Sequence, residues 1–247
     1  MTMSQAEHGQ FSVRYSVPRW NASWAVPEIP VPESDTHDLS IEYLRGVLLA
    51  WARRTARHVK LARNLGIRWV EQEPRAGFDP DLCLIEPPPP DRGTLRSLCL
   101  WRPGHVAPRL AVEVVSSHPY KDYIDTPERC AACGVAELWI YDPMMLGPKA
   151  HGGPYLIQVW CRDDSGNMHR IHAGSGPVYS PALGAWLHPV ESDEPQEAQL
   201  RLADDATGRS FWPTLDEAAQ QHVHAEKRRA DAAEAELARL RAQLERK

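Results

Sequence analysis

A short run of apolar residues, Leu110–Val115, is interrupted by a single carboxylate, Glu113. The length of the run and its valines are typical of a buried β-strand. Alternation along a strand predicts that Ala111, Glu113 and Val115 share one face. If both faces of the sheet are covered, Glu113 cannot reach water, and its charge then needs a cation, a proton or a metal ion.

The residues after this run predict a short helix and then a second strand. Asp125 or Thr126 is suited to cap the helix, and Pro127 is suited to its first turn. Gly134 is suited to its end, and the apolar residues 138–141 follow as a strand. Strand, helix and strand in this order form a β-α-β unit whose crossover is just long enough for the two strands to be parallel.

A second carboxylate stands at the start of an earlier predicted strand. Residues 78–86 form that strand, and Asp81 is among its acidic first residues. On neighbouring strands, Asp81 and Glu113 could hold one divalent cation, because Mg²⁺ takes one or two carboxylates and keeps several waters. The alternative is a buried Glu113 that pairs structurally with Arg109 or Lys121. The residues alone leave both interpretations open.

The order of these features resembles the PD-(D/E)XK nuclease superfamily, and within it the restriction-endonuclease group often called the Uma-two family. The resemblance covers about residues 37–143 and includes Pro80-Asp81, Glu113-Val114-Val115-Ser116, Asp122 and the closing segment 134–143. It implies an α/β fold, with a restriction-endonuclease-like mixed central sheet flanked by helices. It also implies an endonuclease that hydrolyses DNA phosphodiester bonds with Mg²⁺ or Mn²⁺, with Asp81, Glu113 and the Val114 carbonyl at the metal.

The chain departs from this pattern at the lysine. The superfamily position two residues after the glutamate holds Val115, and the position that the Uma-two variant uses instead holds Thr126. Lys121 is the nearest substitute, and Arg129 is a weaker one. We therefore predict that Lys121 is the third catalytic residue beside the two carboxylates. The displaced lysine also favours the alternative, a catalytically degenerate nuclease-fold protein that acts as a binding or assembly module.

A basic cluster lies between Arg45 and Arg75, in and after a helix predicted to run from about residue 38 to residue 64. Such a cluster is typical of a solvated helix face, and the alternative is a face that contacts nucleic-acid phosphates beside the site. His37, at the start of this helix, matches a histidine of the Uma-two pattern, with capping, packing and catalytic roles all open. The residues predicted to contact DNA are Arg53, Arg54, Arg57, Lys60 and Arg63.

The length of 247 residues fits one large domain with an appendage. We expect an N-terminal arm at residues 1–36 and a nuclease-like domain at residues 37–214, with a β-rich extension from about residue 144. The pattern of residues 215–247 predicts a helical tail with apolar heptad positions. This tail is either a coiled coil or a helix docked on its own domain. A homodimer through a sheet edge or this helix is the expected assembly.

Composition limits the remaining function classes. The net charge of −5 excludes a globally basic protein, so any contact with nucleic acid needs a local patch. The five cysteines are an odd number and do not suggest a disulfide scaffold, and the Cys130–Cys133 pair lacks a second pair at zinc-finger spacing. No apolar run has the length of a membrane span, and no secretion signal is evident, so we expect a cytoplasmic protein.

Overall fold

The structure, a computed structural model, describes residues 12–13, 24, 35–91, 95–116, 119–190 and 199–244. The chain divides between Trp212 and Pro213 into two compact units. The helices are α1 (Asp35–Arg54), α2 (Thr126–Cys133) and α3 (Leu215–Leu244), and Lys121–Asp125 form a π-helical turn before α2. The strands are β1 (Ser12–Val13), β2 (Lys60–Arg63), β3 (Gly66–Arg68), β4 (Leu82–Ile85), β5 (Ser97–Cys99), β6 (Leu110–Val114), β7 (Glu137–Tyr141), β8 (Ile157–Arg162), β9 (Met168–Gly174), β10 (Val178–Ser180), β11 (Ala185–Val190) and β12 (Gln199–Ala203).

Seven strands form a central mixed sheet in the order β1-β9-β8-β7-β6-β4-β2. β6 and β7 are parallel, as the β-α-β pattern predicts, and their neighbours in the sheet are antiparallel. With helices packed on it, this sheet confirms the predicted α/β fold class. A short parallel pair, β3 and β5, lies outside the central sheet.

The two faces of the sheet are covered by different elements. Val112 and Val114 of β6 pack with α1 and with β10–β12 in one apolar cluster. Ala111 and Val115 pack with Cys130 of α2 in a second cluster. The predicted alternation along β6 is therefore present, and it directs Glu113 toward the face that carries α2.

The first helix is shorter than predicted, and the chain after it is a strand. α1 ends at Arg54 because Ala56 adopts a left-handed conformation with φ of 51°. The Ala56 amide then donates to the Arg53 carbonyl, and the Arg57 amide donates to the Ala52 carbonyl. This is the hydrogen-bond pattern of a Schellman motif, which usually needs glycine. Alanine gives no such signal, so the sequence pattern overran the helix end by about ten residues.

The β-rich extension divides between two sheets. β8 and β9 form a hairpin that extends the central sheet, whereas β10, β11 and β12 form a separate antiparallel sheet.

Most of the predicted N-terminal arm, residues 1–36, lies outside the described residues. Thr214 and Glu217 cap α3 reciprocally, since each side chain accepts the backbone amide of the other. Among the described residues, no helix is long and apolar enough to cross a membrane.

Candidate active site

Asp81 and Glu113 lie opposite each other at one edge of the β4–β6 pair. The two strands are antiparallel with Leu82 opposite Val112, so the same register places Asp81, directly before β4, opposite Glu113. Residues in opposite positions have Cβ atoms about 4.5–5.5 Å apart and project from the same face of the sheet. The two carboxyl groups predicted from the sequence are therefore neighbours.

Glu113 is almost completely enclosed, with 2% of its surface exposed. Burial raises the pKa of Glu113 well above its usual value, and the negative charge of Asp81 raises it further, whereas Lys121 acts in the opposite direction. Within the described residues no donor reaches Glu113 Oε2. The neighbouring carboxyl group of Asp122 can hydrogen-bond to Glu113, but only when one of the two acids holds a proton.

Lys121 supplies the positive charge beside Glu113. Its ammonium nitrogen lies 3.2 Å from Glu113 Oε1. The residue is the first of the π-helical turn, where the Thr126 amide donates to the Lys121 carbonyl. The backbone is already helical at Asp125, and the Asp125 side chain makes no capping hydrogen bond. The predicted Asp125 cap is therefore absent from the start of α2. A π-helical turn contains one residue more than an α-helical turn, and this one carries Lys121. Single π-turns of this kind are frequent at functional sites.

The other two basic residues considered for this role contact different groups. Arg129 lies 4.0 Å from Asp125 and packs near the Trp24 ring. Arg109 pairs with Glu86 and donates to the Ala182 carbonyl. Lys121 is therefore the cation that the described fold brings to Glu113, although the resemblance places its lysine elsewhere in the chain.

Asp81 is held in place by two neighbours. The Val114 amide donates to Asp81 Oδ2 at 2.7 Å, and His37 Nε2 lies 3.4 Å from the same oxygen. His37 Nε2 also lies 2.9 Å from the Val114 carbonyl oxygen. The Val114 peptide, whose carbonyl the family resemblance places at a metal, thus contacts both Asp81 and His37. His37 connects α1 to the site and is 8% exposed, so its role is more than helix capping.

Two further acids belong to this cluster and were not predicted as site residues. Asp122 accepts the Ser116 amide, and burial raises the pKa of Asp122 to about 6. Burial also raises the pKa of Asp79, and the charge of Lys121 opposes that shift. Asp79 stands two residues before Asp81, and this spacing could have indicated it as a site residue, because alternate residues of an extended segment share a face. Only the π-helical turn brings Asp122 inward.

Asp81 and Glu113 form a small set of possible ligands for a divalent cation. In the described part of the chain, no three His, Cys, Asp or Glu side chains are grouped so that they could hold a metal ion alone. Mg²⁺ needs fewer protein ligands, because it keeps several waters and binds substrate phosphate oxygens. The paired carboxylates of Asp81 and Glu113 fit such a sparse ligand set, since no described residue donates a hydrogen bond to Glu113 Oε2.

The predicted DNA-contacting residues do not form one helix face. Arg53 and Arg54 end α1, Arg57 lies in the following turn, and Lys60 and Arg63 begin and end β2. β2 replaces the last part of the predicted helix, so these cations lie on a helix end, a turn and a strand. Arg63, opposite Leu82 in the sheet, is the member adjacent to the start of β4 and therefore to Asp81.

Three of these five cations already have anionic partners. Arg57 pairs with Glu86 at 3.0 Å. Arg63 pairs with both Asp38 and Glu42, and Arg54 pairs with Asp204 and stacks over the Trp212 ring. By contrast, Arg53 and Lys60 make no ion pair with any residue that the structure describes.

Other buried polar groups have structural roles. Glu137 accepts hydrogen bonds from Ser180, Trp139 and the Ala182 amide, and thereby connects β7 to the three-stranded sheet. The thiols of Cys130 and Cys133 are buried, and burial raises the pKa of Cys133 to about 12. Such thiols stay protonated near neutral pH and behave as small apolar groups.

A second hydrogen-bonded group supports the turn that carries Lys121. The Tyr123 hydroxyl donates to Asp142 Oδ2 at 2.9 Å, and the Asp142 carboxylate accepts the amides of Leu146 and Gly147. The Tyr155 amide donates to the Tyr123 hydroxyl. Asp142 is fully buried, so this group fixes the π-helical turn against the loop after β7.

Comparisons with known proteins identify the family of this chain. The family Uma2, described as "Putative restriction endonuclease", matches residues 26–149, half of the chain. A solved structure, a "putative nuclease belonging to DUF820" from Anabaena variabilis, is 14% identical with a TM-score of 0.42, and the match covers 62% of this chain and 76% of that one. The comparison with curated proteins finds no match. The family match spans α1, both carboxylates, Lys121 and β7, and the chain therefore belongs to the Uma2 family of restriction-endonuclease-like proteins.

Proposed function

We propose that this protein is a divalent-metal-dependent endonuclease that hydrolyses phosphodiester bonds of DNA, with Asp81, Glu113 and Lys121 as its catalytic residues. The 3.2 Å contact between Lys121 and Glu113 carries the proposal. Lys121 supplies the cation that the nuclease pattern requires, since Val115 and Thr126 occupy the two positions where that pattern has a lysine. Family membership supports the reaction class.

Asp81 and Glu113 would hold Mg²⁺ or Mn²⁺, with the Val114 carbonyl as a further ligand. When bound, such an ion polarises the phosphate and lowers the pKa of the attacking water. The Val114 amide and His37 orient Asp81, and the enclosed position of Glu113 keeps its charge away from bulk water. In the protein without metal, burial raises the pKa of both Glu113 and Asp122, so these groups hold a proton more tightly than exposed carboxyl groups do.

Lys121 acts as a fixed positive charge and not as a base. The charge of Glu113 raises the pKa of Lys121 above its usual value, so the side chain remains an ammonium group at neutral pH. An ammonium group beside the phosphate stabilises the extra negative charge that develops as water attacks phosphorus and the phosphorus–oxygen bond to the leaving strand breaks. It can also donate a hydrogen bond to the leaving oxygen.

DNA is the proposed substrate, and Arg63, opposite Leu82 at the start of β4, is the predicted contact nearest Asp81. Lys60 and Arg63 lie on the edge strand β2, and Arg53 lies at the end of α1. Phosphate contacts require positive charge but no particular reading of the bases. Since several of these arginines are already paired with acids, we propose that Arg53 and Lys60 contribute most of the basic contact.

We also propose that the protein is a homodimer. Edge strand β2 is a poor surface for pairing, because it has only four residues and carries two cations. Short, charged edge strands discourage sheet-to-sheet association. The C-terminal helix α3 is the better candidate.

Cleavage of supercoiled plasmid with Mg²⁺ or Mn²⁺ tests the proposed reaction. We expect nicked or linear product from the native chain and none with a chelator. Glu113→Gln and Asp81→Asn should each slow cleavage by about a hundredfold or more. Glu71→Gln is the matched control, because it removes an exposed carboxylate of the same type. Circular dichroism of each variant verifies the fold. Failure of the native chain to cut with either metal, or full activity of Glu113→Gln, would overturn the proposal.

A second candidate is a degenerate nuclease fold that binds DNA without cutting it. The departure from the nuclease pattern favours it, because Val115 and Thr126 occupy the two positions where that pattern has a lysine. The two candidates differ in a binding measurement. A binding module should still bind DNA when a chelator is present, and calorimetry should detect no Mn²⁺ binding to it. A nuclease should bind Mn²⁺ through Asp81 and Glu113.

A further inference from the structure

Helix α3 presents an uncovered apolar seam. The helix has 30 residues, which corresponds to about 45 Å. None of the residues Leu215–Leu244 is buried, and Leu237, Leu240 and Leu244 are 53%, 47% and 74% exposed. These leucines repeat at the spacing of heptad a and d positions, so they share one face. An exposed apolar seam on a helix favours packing against another apolar surface, because that contact removes the leucines from water.

We propose that α3 pairs with α3 of a second copy of this chain as a parallel, in-register coiled coil. The inference concerns an assembly surface and does not depend on nuclease activity. The seam consists of Val223, Ala230, Ala233, Leu237, Leu240 and Leu244.

The packing layers favour the parallel arrangement. In parallel register each leucine of the seam meets its counterpart, which gives three successive leucine layers. An antiparallel pair that matches Leu237 with Leu240 overlaps only over residues 233–244. Antiparallel pairs with longer overlap set a leucine against an acid, either Leu237 or Leu244 against Glu226 or Leu240 against Asp216. The parallel pair also brings two Glu226 side chains together, but Arg229 lies 2.6 Å from Glu226 in the same helix and offsets that charge.

The charges beside the seam are complementary in the same register. In a parallel dimer the residue at heptad position g faces the residue at position e five places later in the other helix. Arg229 then faces Glu234, and Glu236 faces Arg241. Twofold symmetry repeats both contacts, which gives four opposite-charge pairs. Charge pairs at these positions set partner choice and orientation in coiled coils.

Light scattering of the full chain across a concentration series tests the seam. We expect the mass of a dimer at high concentration and dissociation on dilution. Leu237→Lys with Leu240→Lys should give a monomer at all concentrations. Ala235→Lys with Ala238→Lys is the matched control, since it adds the same charges to outward positions and should remain dimeric. A native chain that is monomeric throughout overturns the proposal in favour of a seam covered within one chain, and a dimeric seam variant overturns it in favour of another surface.

Cross-linking and charge exchange test the orientation. Mild oxidation of Leu240→Cys should join two copies in a non-reducing gel much faster than oxidation of Ala235→Cys, with the native chain as background for its own five cysteines. Arg241→Glu should raise the dimer Kd about tenfold, and adding Glu236→Arg should restore it. Equal cross-linking of the two cysteine variants, or no rescue by the double exchange, excludes the parallel register.

Discussion

The Lys121 ammonium nitrogen lies 3.2 Å from Glu113 Oε1, although Lys121 occupies neither lysine position of the nuclease pattern. The π-helical turn is the physical reason for this contact. It carries Lys121 at its first residue and fits between β6 and α2. A long, flexible side chain then reaches a carboxylate that is 2% exposed.

Lys121→Met should separate metal binding from cleavage. Loss of the ammonium group removes a charge from the transition state, so cleavage should fall about a hundredfold. The same change removes a cation that competes for Glu113, so Mn²⁺ should bind as tightly as in the native protein or more tightly. Plasmid cleavage and calorimetry measure the two effects, with exposed Lys149→Met as the control. Weaker Mn²⁺ binding by Lys121→Met would contradict the assigned role.

Metal-dependent stabilisation should depend on both carboxylates. A ligand that binds only the folded state adds about 2.7 kcal/mol at a hundredfold excess over its Kd. For a chain of this size that should raise the Tm by about 5–10 °C. Scanning calorimetry with Mn²⁺ should show this rise for the native protein and for Glu71→Gln. It should be absent for Asp81→Asn and Glu113→Gln, and a full rise in either variant would exclude that residue as a ligand.

Asp122 should make the metal-free protein less stable as the pH rises. Its pKa is raised from 3.8 to about 6 in the folded state, so the folded state binds the proton more tightly than the unfolded state. The associated stability is present below about pH 4 and is lost as the pH passes through 6. It amounts to about 3 kcal/mol at most, since one pKa unit corresponds to about 1.4 kcal/mol.

Urea unfolding in a chelator between pH 4 and pH 7 measures this effect. Asp122→Asn keeps an oxygen that can accept the Ser116 amide and removes the titration, so its stability should vary less over this range. Glu113 contributes a slope of the same sign, because its pKa is also raised. An unchanged slope in Asp122→Asn would show that Asp122 does not titrate there.

Lys60→Gln should weaken DNA binding more than Arg63→Gln does. The Arg63 guanidinium is held by Asp38 and Glu42, so a phosphate contact must compete with two acids. Lys60 has no such partner among the described residues. Fluorescence anisotropy at several salt concentrations should show the salt slope falling by about one for Lys60→Gln. Equal losses for the two variants would mean that the ion pairs of Arg63 do not restrain it.

Gly147→Ala should destabilise the protein and impair the site. A Cβ atom at residue 147 would overlap the Tyr123 hydroxyl, which is bonded to Asp142 and belongs to the turn that carries Lys121. We expect a loss of about 1–3 kcal/mol in urea unfolding. Gly46→Ala is the control, because open space surrounds that position in α1. It should stabilise the protein by about 0.5–1 kcal/mol. A neutral Gly147→Ala would show that Tyr123 can move freely.

Local patterns determined the central β-α-β unit. The apolar residues of β6 alternate between two covered faces, and Gly134 ends α2 with a φ of 87°. These features depend on neighbours within a few residues, so the sequence carries their signal directly. The positions of Asp81 and Glu113 followed, because strand order and register bring them together.

Only the tertiary structure decided which other groups reach the site and which cations are already paired. His37 arrives from α1, Asp122 from a π-helical turn, and Arg63 from a strand that the sequence pattern assigned to a helix. His37 and Arg63 depend on contacts between segments far apart in the chain, such as His37 Nε2 at 2.9 Å from the Val114 carbonyl oxygen, whereas Asp122 depends on the irregular π-helical turn. Periodicity cannot encode these distances, because packing and sheet pairing override local preference where they bury more surface.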